Sequence, residues 1–157
     1  MSSHTTPFAL IARELSQTLE VALQKLRDMP AAQAARPLAS GKWSAQQVIG
    51  HLIDSAANNH QRFVRAMQAP ALVFPEYLQD AWVETQHYDA RAWDDVVLLW
   101  HAYNRHLAHV IENIPEQMRQ VPITIGNEAP VTLGFLAHDY VVHLRHHLKQ
   151  IGIGGER

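Results

Sequence analysis

Apolar residues recur every three to four positions in four long stretches of the chain. This spacing places apolar side chains on one face of an α-helix, so each stretch is predicted to form an amphipathic helix. In the first stretch the apolar positions are Leu10, Ile11, Leu15, Leu19, Ala22, Leu23 and Leu26. The four predicted helices span about 8–27, 44–69, 90–112 and 132–151.

Residues that start or stop helices lie at the ends of these stretches. Ser44 is a natural N-cap for the second helix, and Gln47, three positions later, can complete a capping box. Pro30, Pro70 and Pro115 each follow a predicted helix end. Proline has no backbone N–H to donate, so it stops the hydrogen-bond ladder.

The connections between the helices differ in length and character. Residues 31–41 are mostly small and include a proline, whereas 71–90 show no clear period. We interpret 71–90 as a long crossover with room for one short helix. Residues 121–125 and 131–133 are rich in β-formers and flank Gly126-Asn127-Glu128, which predicts a small hairpin or an extended excursion.

Together these elements predict an all-α protein: a four-helix bundle with a long crossover between the second and third helices. Such a crossover lets those two helices run parallel. A chain of 157 residues, 47% of them hydrophobic, has the usual size of one domain, so residues 1–157 are expected to form a single bundle domain.

Charge and composition restrict the partners. The formal net charge is -2, so there is no basic surplus for neutralising a phosphate backbone, and nucleic acid is not expected as the main partner. No apolar run is long enough to span a bilayer, and the first residues lack the pattern of a signal peptide. We therefore expect a cytoplasmic protein that acts without a membrane. The absence of cysteine excludes thiolate nucleophiles and sulfur ligands.

The chain contains 11 histidines, and their positions indicate a possible metal site. His143 and His147 are four positions apart on the fourth helix, so both imidazoles can face one metal ion. Asp139 lies one turn earlier on the same stripe and could orient His143. The alternative is that His143, His146 and His147 form only a polar surface patch.

A third ligand would have to come from another helix, and His51 is the best candidate. It lies in the middle of the apolar stripe of the second helix, beside Ile49, Leu52 and Ile53. A histidine in such a position is more often a hydrogen-bonded core residue than a ligand. If the second and fourth helices are neighbours, however, three inward histidines would leave coordination positions open for water or substrate.

Two segments resemble a known family. Residues 43–55 read WSAQQVIGHLIDS and are followed by Arg62, and residues 143–151 read HLRHHLKQI. Both are similar to the metal-site helices of the DinB/YfiT-like family, whose members are commonly labelled metal-dependent hydrolases. The resemblance implies a four-helix bundle, often a homodimer, with a divalent transition metal, zinc or nickel, held by His51, His143 and His147.

The resemblance leaves the reaction open. One possibility is an enzyme that activates water to hydrolyse a small molecule, with Asp54 or Asp139 as the proton-accepting carboxylate. Related proteins transfer a low-molecular-weight thiol, and Arg62 or Arg145 could serve a thiol cofactor. These arginines could also pair with buried carboxylates, the more common role. A non-catalytic metal-binding stress-response protein is the third possibility.

Overall fold

The computed structural model describes residues 5–154. Its four long helices are α1 (Phe8–Asp28), α3 (Ala45–Ala66), α5 (Trp93–Glu112) and α6 (Leu133–Gln150). They match the four predicted helices within a few residues, and they form the predicted four-helix bundle. A short helix α2 (Ala31–Ala34), which the sequence analysis did not predict, lies in the connection between α1 and α3.

Capping interactions fix where the site-bearing helices begin. The Ser44 hydroxyl accepts a hydrogen bond from the Gln47 backbone N–H at 3.2 Å. The Gln47 side-chain oxygen accepts one from the Ser44 backbone N–H at 3.0 Å, so the predicted capping box is present. The hydroxyl of Thr132 caps α6 in a similar way, accepting from the Phe135 N–H at 3.1 Å.

Contacts along α5 show how it runs relative to its two neighbours. The Trp93 indole, at the start of α5, donates to the carbonyls of Leu26 and Met29 at the end of α1, so α1 and α5 are antiparallel. The start of α3 meets the start of α5, because Gln46 donates to the Arg91 carbonyl at 2.6 Å. Further along, His60 contacts Tyr103. Helices α3 and α5 are therefore parallel, which confirms the topology that the long crossover predicted.

The last helix closes the bundle between α1 and α3. The rings of Phe63, near the end of α3, and Tyr140, early in α6, are 5.9 Å apart. His51, early in α3, meets His143 late in α6, so these helices are antiparallel. On the other side Arg145 of α6 donates to the Thr18 hydroxyl of α1 at 3.0 Å. The antiparallel α3–α6 seam is the one that brings together the predicted ligands.

The crossover between α3 and α5 holds more structure than predicted. It contains strand β1 (Leu72–Phe74), helix α4 (Gln79–Gln86) and a 3₁₀ turn (Tyr88–Ala90). A second 3₁₀ turn, Glu116–Met118, precedes the hairpin of β2 (Pro122–Ile125) and β3 (Val131–Thr132), whose strands pair antiparallel as predicted. Strand β1 pairs in parallel with β2, Leu72 opposite Ile123, and so extends the hairpin into a three-stranded sheet.

The inward faces of the four long helices bury a continuous apolar core that includes Leu15, Leu19, Ile49, Trp100 and Leu144. Burial of this apolar surface is the main stabilisation of the bundle. Among the described helices, none combines the length and the hydropathy that crossing a bilayer requires.

Candidate metal centre

Helix α3 departs from an ordinary core helix because its buried face carries many polar side chains. The buried polar residues of this helix are Gln46, His51, Asp54, Ser55, Asn58, Asn59 and Arg62. A polar group taken out of water costs free energy unless it gains a partner. Some of these residues bond locally: Asn58 and Asn59 donate to the carbonyls of Asp54 and Ser55, one turn back. Gln46 and Asp54 bond to residues of the crossover, and His51 faces the seam with α6.

Three histidines converge at that seam. The Nε2 atoms of His51 and His143 are 3.4 Å apart, and those of His143 and His147 are 3.1 Å apart. One ring nitrogen of each residue lies within 4.8 Å of the other two. The structure therefore brings together His51 of α3 with His143 and His147 of α6, the three residues predicted as ligands.

These separations fit a metal ion better than hydrogen bonds between imidazoles. Two nitrogens each about 2.0–2.1 Å from one ion at a tetrahedral angle lie about 3.3–3.4 Å apart. Neutral imidazole has one donor and one acceptor nitrogen, so the three Nε2 atoms cannot all satisfy one another. No carboxylate joins the cluster among the described residues, so an ion held here has three protein ligands and open positions.

The protonation states also suit metal binding. Burial, followed by the proximity of His147 and His143, lowers the pKa of His51 to about 3. Burial and the neighbouring His147 and His146 lower the pKa of His143 to about 4. Burial likewise lowers the pKa of His147, although its hydrogen bond to Gln150 acts in the opposite direction. All three imidazoles are therefore neutral near pH 7, as ligands must be.

Groups around the cluster orient two of the rings. His147 Nδ1 donates to the Gln150 side-chain oxygen at 2.8 Å, which leaves Nε2 as the free acceptor nitrogen that faces the cluster. The Trp43 ring lies 5.2 Å from the His51 ring, between centroids, and packs beside it. His51 Nδ1 is buried, and no residue between 5 and 154 forms a hydrogen bond with it.

Asp54, the first of the two predicted carboxylates, is buried one turn after His51. Its Oδ1 accepts from the Tyr88 hydroxyl at 2.7 Å and from the Gln86 amide at 2.8 Å. Its Oδ2 is buried and has no hydrogen-bond partner in the described part of the chain. Burial raises the pKa of Asp54, while the bonds from Tyr88 and Gln86 act against that rise. Tyr88 and Gln86 lie in the aperiodic crossover, where no sequence pattern marks them as site residues.

Asp139, the second predicted carboxylate, is exposed on α6, one turn before His143. It lines a cavity that His143 also lines. Within residues 5–154 no hydrogen bond joins Asp139 to His143, so its orienting role stays a prediction. The two arginines differ: Arg62 is buried and lines the same cavity, whereas Arg145 lies on the surface beside Glu14, with 3.8 Å between their charged atoms.

The fold and the site define a class of protein: a helical bundle with parallel second and third long helices and a three-histidine cluster between the second and fourth. The family sequence model of the DinB superfamily matches residues 14–151, so the chain belongs to this superfamily. No curated protein matches the sequence.

A solved structure shares the architecture. It is YfiT from Bacillus subtilis, described as a probable metal-dependent hydrolase with an unusual four-helix bundle topology. The two chains are 20% identical, with a TM-score of 0.84 over 92% of this chain and 83% of YfiT. This similarity confirms the fold, and the three-histidine cluster supports a metal site of the DinB type.

Proposed function

We propose that this protein is a metal-dependent hydrolase that acts on a small molecule, with one divalent transition metal, zinc or nickel, held by His51, His143 and His147. The observation that carries the proposal is the convergence of three neutral imidazoles, which no carboxylate or fourth protein ligand joins among residues 5–154. Structural metal sites are usually closed by four ligands, whereas sites that perform chemistry keep a position open.

A divalent ion held by His51, His143 and His147 would supply Lewis-acid chemistry, which lowers the pKa of a bound water molecule. The residues of the chain supply the remaining functions. His147 is fixed by Gln150 in the tautomer that offers Nε2. The Oδ2 atom of Asp54 has no partner among the described residues, and burial raises the pKa of this carboxyl. Asp54 is therefore our candidate for the group that accepts and returns a proton. Tyr88 and Gln86 hold its other oxygen.

The description of YfiT as a probable metal-dependent hydrolase supports this assignment of reaction class. The test is a panel of esters, amides and thiol-plus-electrophile pairs, assayed with zinc-loaded or nickel-loaded protein. We expect hydrolysis of at least one ester or amide, with loss of activity on chelation and on His143→Ala substitution.

The matched control is His146→Ala, because His146 is an exposed neighbour whose nitrogens lie outside the cluster. This variant should retain the activity. If turnover requires an added thiol, the reaction at this site is thiol transfer and not hydrolysis. Equal turnover by metal-free and metal-loaded protein would contradict the metal-dependent mechanism.

A further inference from the structure

Arg62 is a buried cation at the far end of the polar face of α3. Only 7% of its surface is exposed. Its guanidinium donates to the Asn59 side-chain oxygen at 3.4 Å, and its Cζ lies 5.5 Å from the centre of the Phe74 ring. Neither partner carries a negative charge. A buried arginine is normally paired with a carboxylate, because an isolated buried charge is costly.

No such pair exists in the described part of the chain. Its ion pairs do not include Arg62, so no carboxylate oxygen lies within 4.0 Å of the guanidinium nitrogens. The Nε atom is buried, and none of the described residues forms a hydrogen bond with it. Burial lowers the pKa of Arg62, yet an arginine remains protonated at neutral pH. Within residues 5–154 the buried charge of Arg62 is thus uncompensated, an arrangement that a bound anion would complete.

Arg62 lines a cavity of about 200 Å³, and His143, one of the three clustered histidines, also lines it. Ser55, Asn59 and Tyr77 contribute further polar groups to its wall. Asp139 is the acidic residue of the wall, but it is exposed and therefore screened by water. Burial raises the pKa of Tyr77, so its hydroxyl keeps its proton and can donate to an anion.

Helix geometry places Arg62 on the same side of α3 as His51. Arg62 comes eleven positions after His51, close to three full turns, so both residues lie on the same face of α3. The rise between their Cα atoms is about 16 Å. Side chains on a helix lean towards its N-terminus, so the Arg62 side chain extends in the direction of His51.

We propose that Arg62 is the substrate-recognition residue of this site and that it binds the carboxylate of a small substrate whose reactive group lies at the histidine cluster. This inference rests on the proposed function, since it assigns the substrate class of the same site. The planar guanidinium presents parallel N–H groups that match a carboxylate in a bidentate pair. A cavity of about 200 Å³ is smaller than those that take drug-sized ligands, which favours a compact molecule.

The test is direct binding of butyrate to the full-length protein, measured by calorimetry with and without chelator. The chelated arm removes any binding of butyrate to a metal, so it reports on Arg62 alone. Butyramide, of the same shape but neutral, is the matched ligand. Arg62→Met removes the charge, and Arg65→Met is the matched variant, because Arg65 lies on the same helix but is exposed and bonded to Gln61.

In chelator, we expect wild type and Arg65→Met to bind butyrate at least tenfold more tightly than they bind butyramide. We also expect both proteins to bind butyrate at least tenfold more tightly than Arg62→Met does. Butyrate should also shift the Arg62 Nε–H resonance of the wild type, a readout that does not depend on the folding of any variant. Absence of butyrate binding to wild type, or equal binding by Arg62→Met, would overturn the proposal. A failure of metal binding alone would leave this result intact, which separates the two proposals.

Discussion

The Tyr88 ring packs directly on the backbone of Gly50, the residue that precedes His51. A Cβ atom at position 50 would overlap Cδ2, Cγ and Cε2 of that ring. The same tyrosine donates its hydroxyl to Asp54, one turn further along α3. The absence of a side chain at Gly50 therefore allows the crossover to approach the helix that carries His51 and Asp54.

This contact predicts that Gly50→Ala is destabilising. Alanine in a helix interior is normally favoured over glycine by about 0.5–1 kcal/mol, so a substitution governed by helix propensity would stabilise the protein. We expect instead a loss of about 1–3 kcal/mol in the free energy of unfolding, because the ring has to move. Urea denaturation measures this.

The control for Gly50→Ala is its combination with Tyr88→Ala, which removes the ring. In the Tyr88→Ala background the Gly50→Ala substitution should cost much less, so the two changes should be strongly non-additive. A stabilising effect of Gly50→Ala alone would show that the ring does not approach the helix this closely.

The histidine cluster predicts acid sensitivity of the metal-free protein. The pKa of His51 is lowered to about 3 and that of His143 to about 4, from an ordinary value of 6.5. At pH values between the lowered pKa values and 6.5, the unfolded chain binds more protons than the folded one. The free energy of unfolding therefore decreases as the pH falls below about 6.5. Urea unfolding at several pH values, in chelator, measures this slope.

The matched pair of variants for this slope is His51→Leu and His109→Gln. His51→Leu removes a buried titrating group and should flatten the pH dependence, whereas His109 is exposed on α5 and its replacement should leave the slope unchanged. Equal slopes for wild type and His51→Leu would mean that His51 is not held in its neutral form by burial.

Asp54→Asn should raise the stability of the metal-free protein at neutral pH. Burial raises the pKa of Asp54, so the folded state disfavours the charged carboxylate. The contribution of this group to stability is present at low pH and is lost as the pH rises through its folded-state pKa. Asparagine is neutral and keeps an oxygen for Tyr88 and Gln86, so we expect a gain of about 1 kcal/mol at pH 7.

The measurement is the difference in free energy of unfolding between wild type and Asp54→Asn at pH 7 and at pH 4. The gain should shrink at the lower pH, where the native carboxyl is closer to neutral. Asp54→Asn could instead be less stable than wild type by the same amount at pH 7 and at pH 4. That result would assign the charged carboxylate a structural role and would contradict its role as proton acceptor.

The sequence was sufficient to predict the long helices, because their apolar periods and caps are local signals. The capping box at Ser44 and Gln47 and the pairing of β2 with β3 depend on residues close in the chain. The pairing of Leu72 with Ile123 joins residues far apart in sequence, and a strand of three residues carries no period, so β1 was missed.

The candidate site follows the same division. The spacing of His143 and His147 is visible in the sequence. That His51 faces these two residues depends on how α3 and α6 pack together, and only the family resemblance indicated this packing beforehand. The partners of Asp54 and the environment of Arg62 depend on packing between the crossover and α3. No local pattern predicts such contacts.

The central claim is that His51, His143 and His147 together hold one metal ion. Elemental analysis of the purified protein, after loading with zinc or nickel and removal of free metal, tests it most directly. We expect about one equivalent for wild type and for His146→Ala, and much less for His51→Ala, His143→Ala and His147→Ala. Full metal content in these three variants, or none in wild type, would contradict the account.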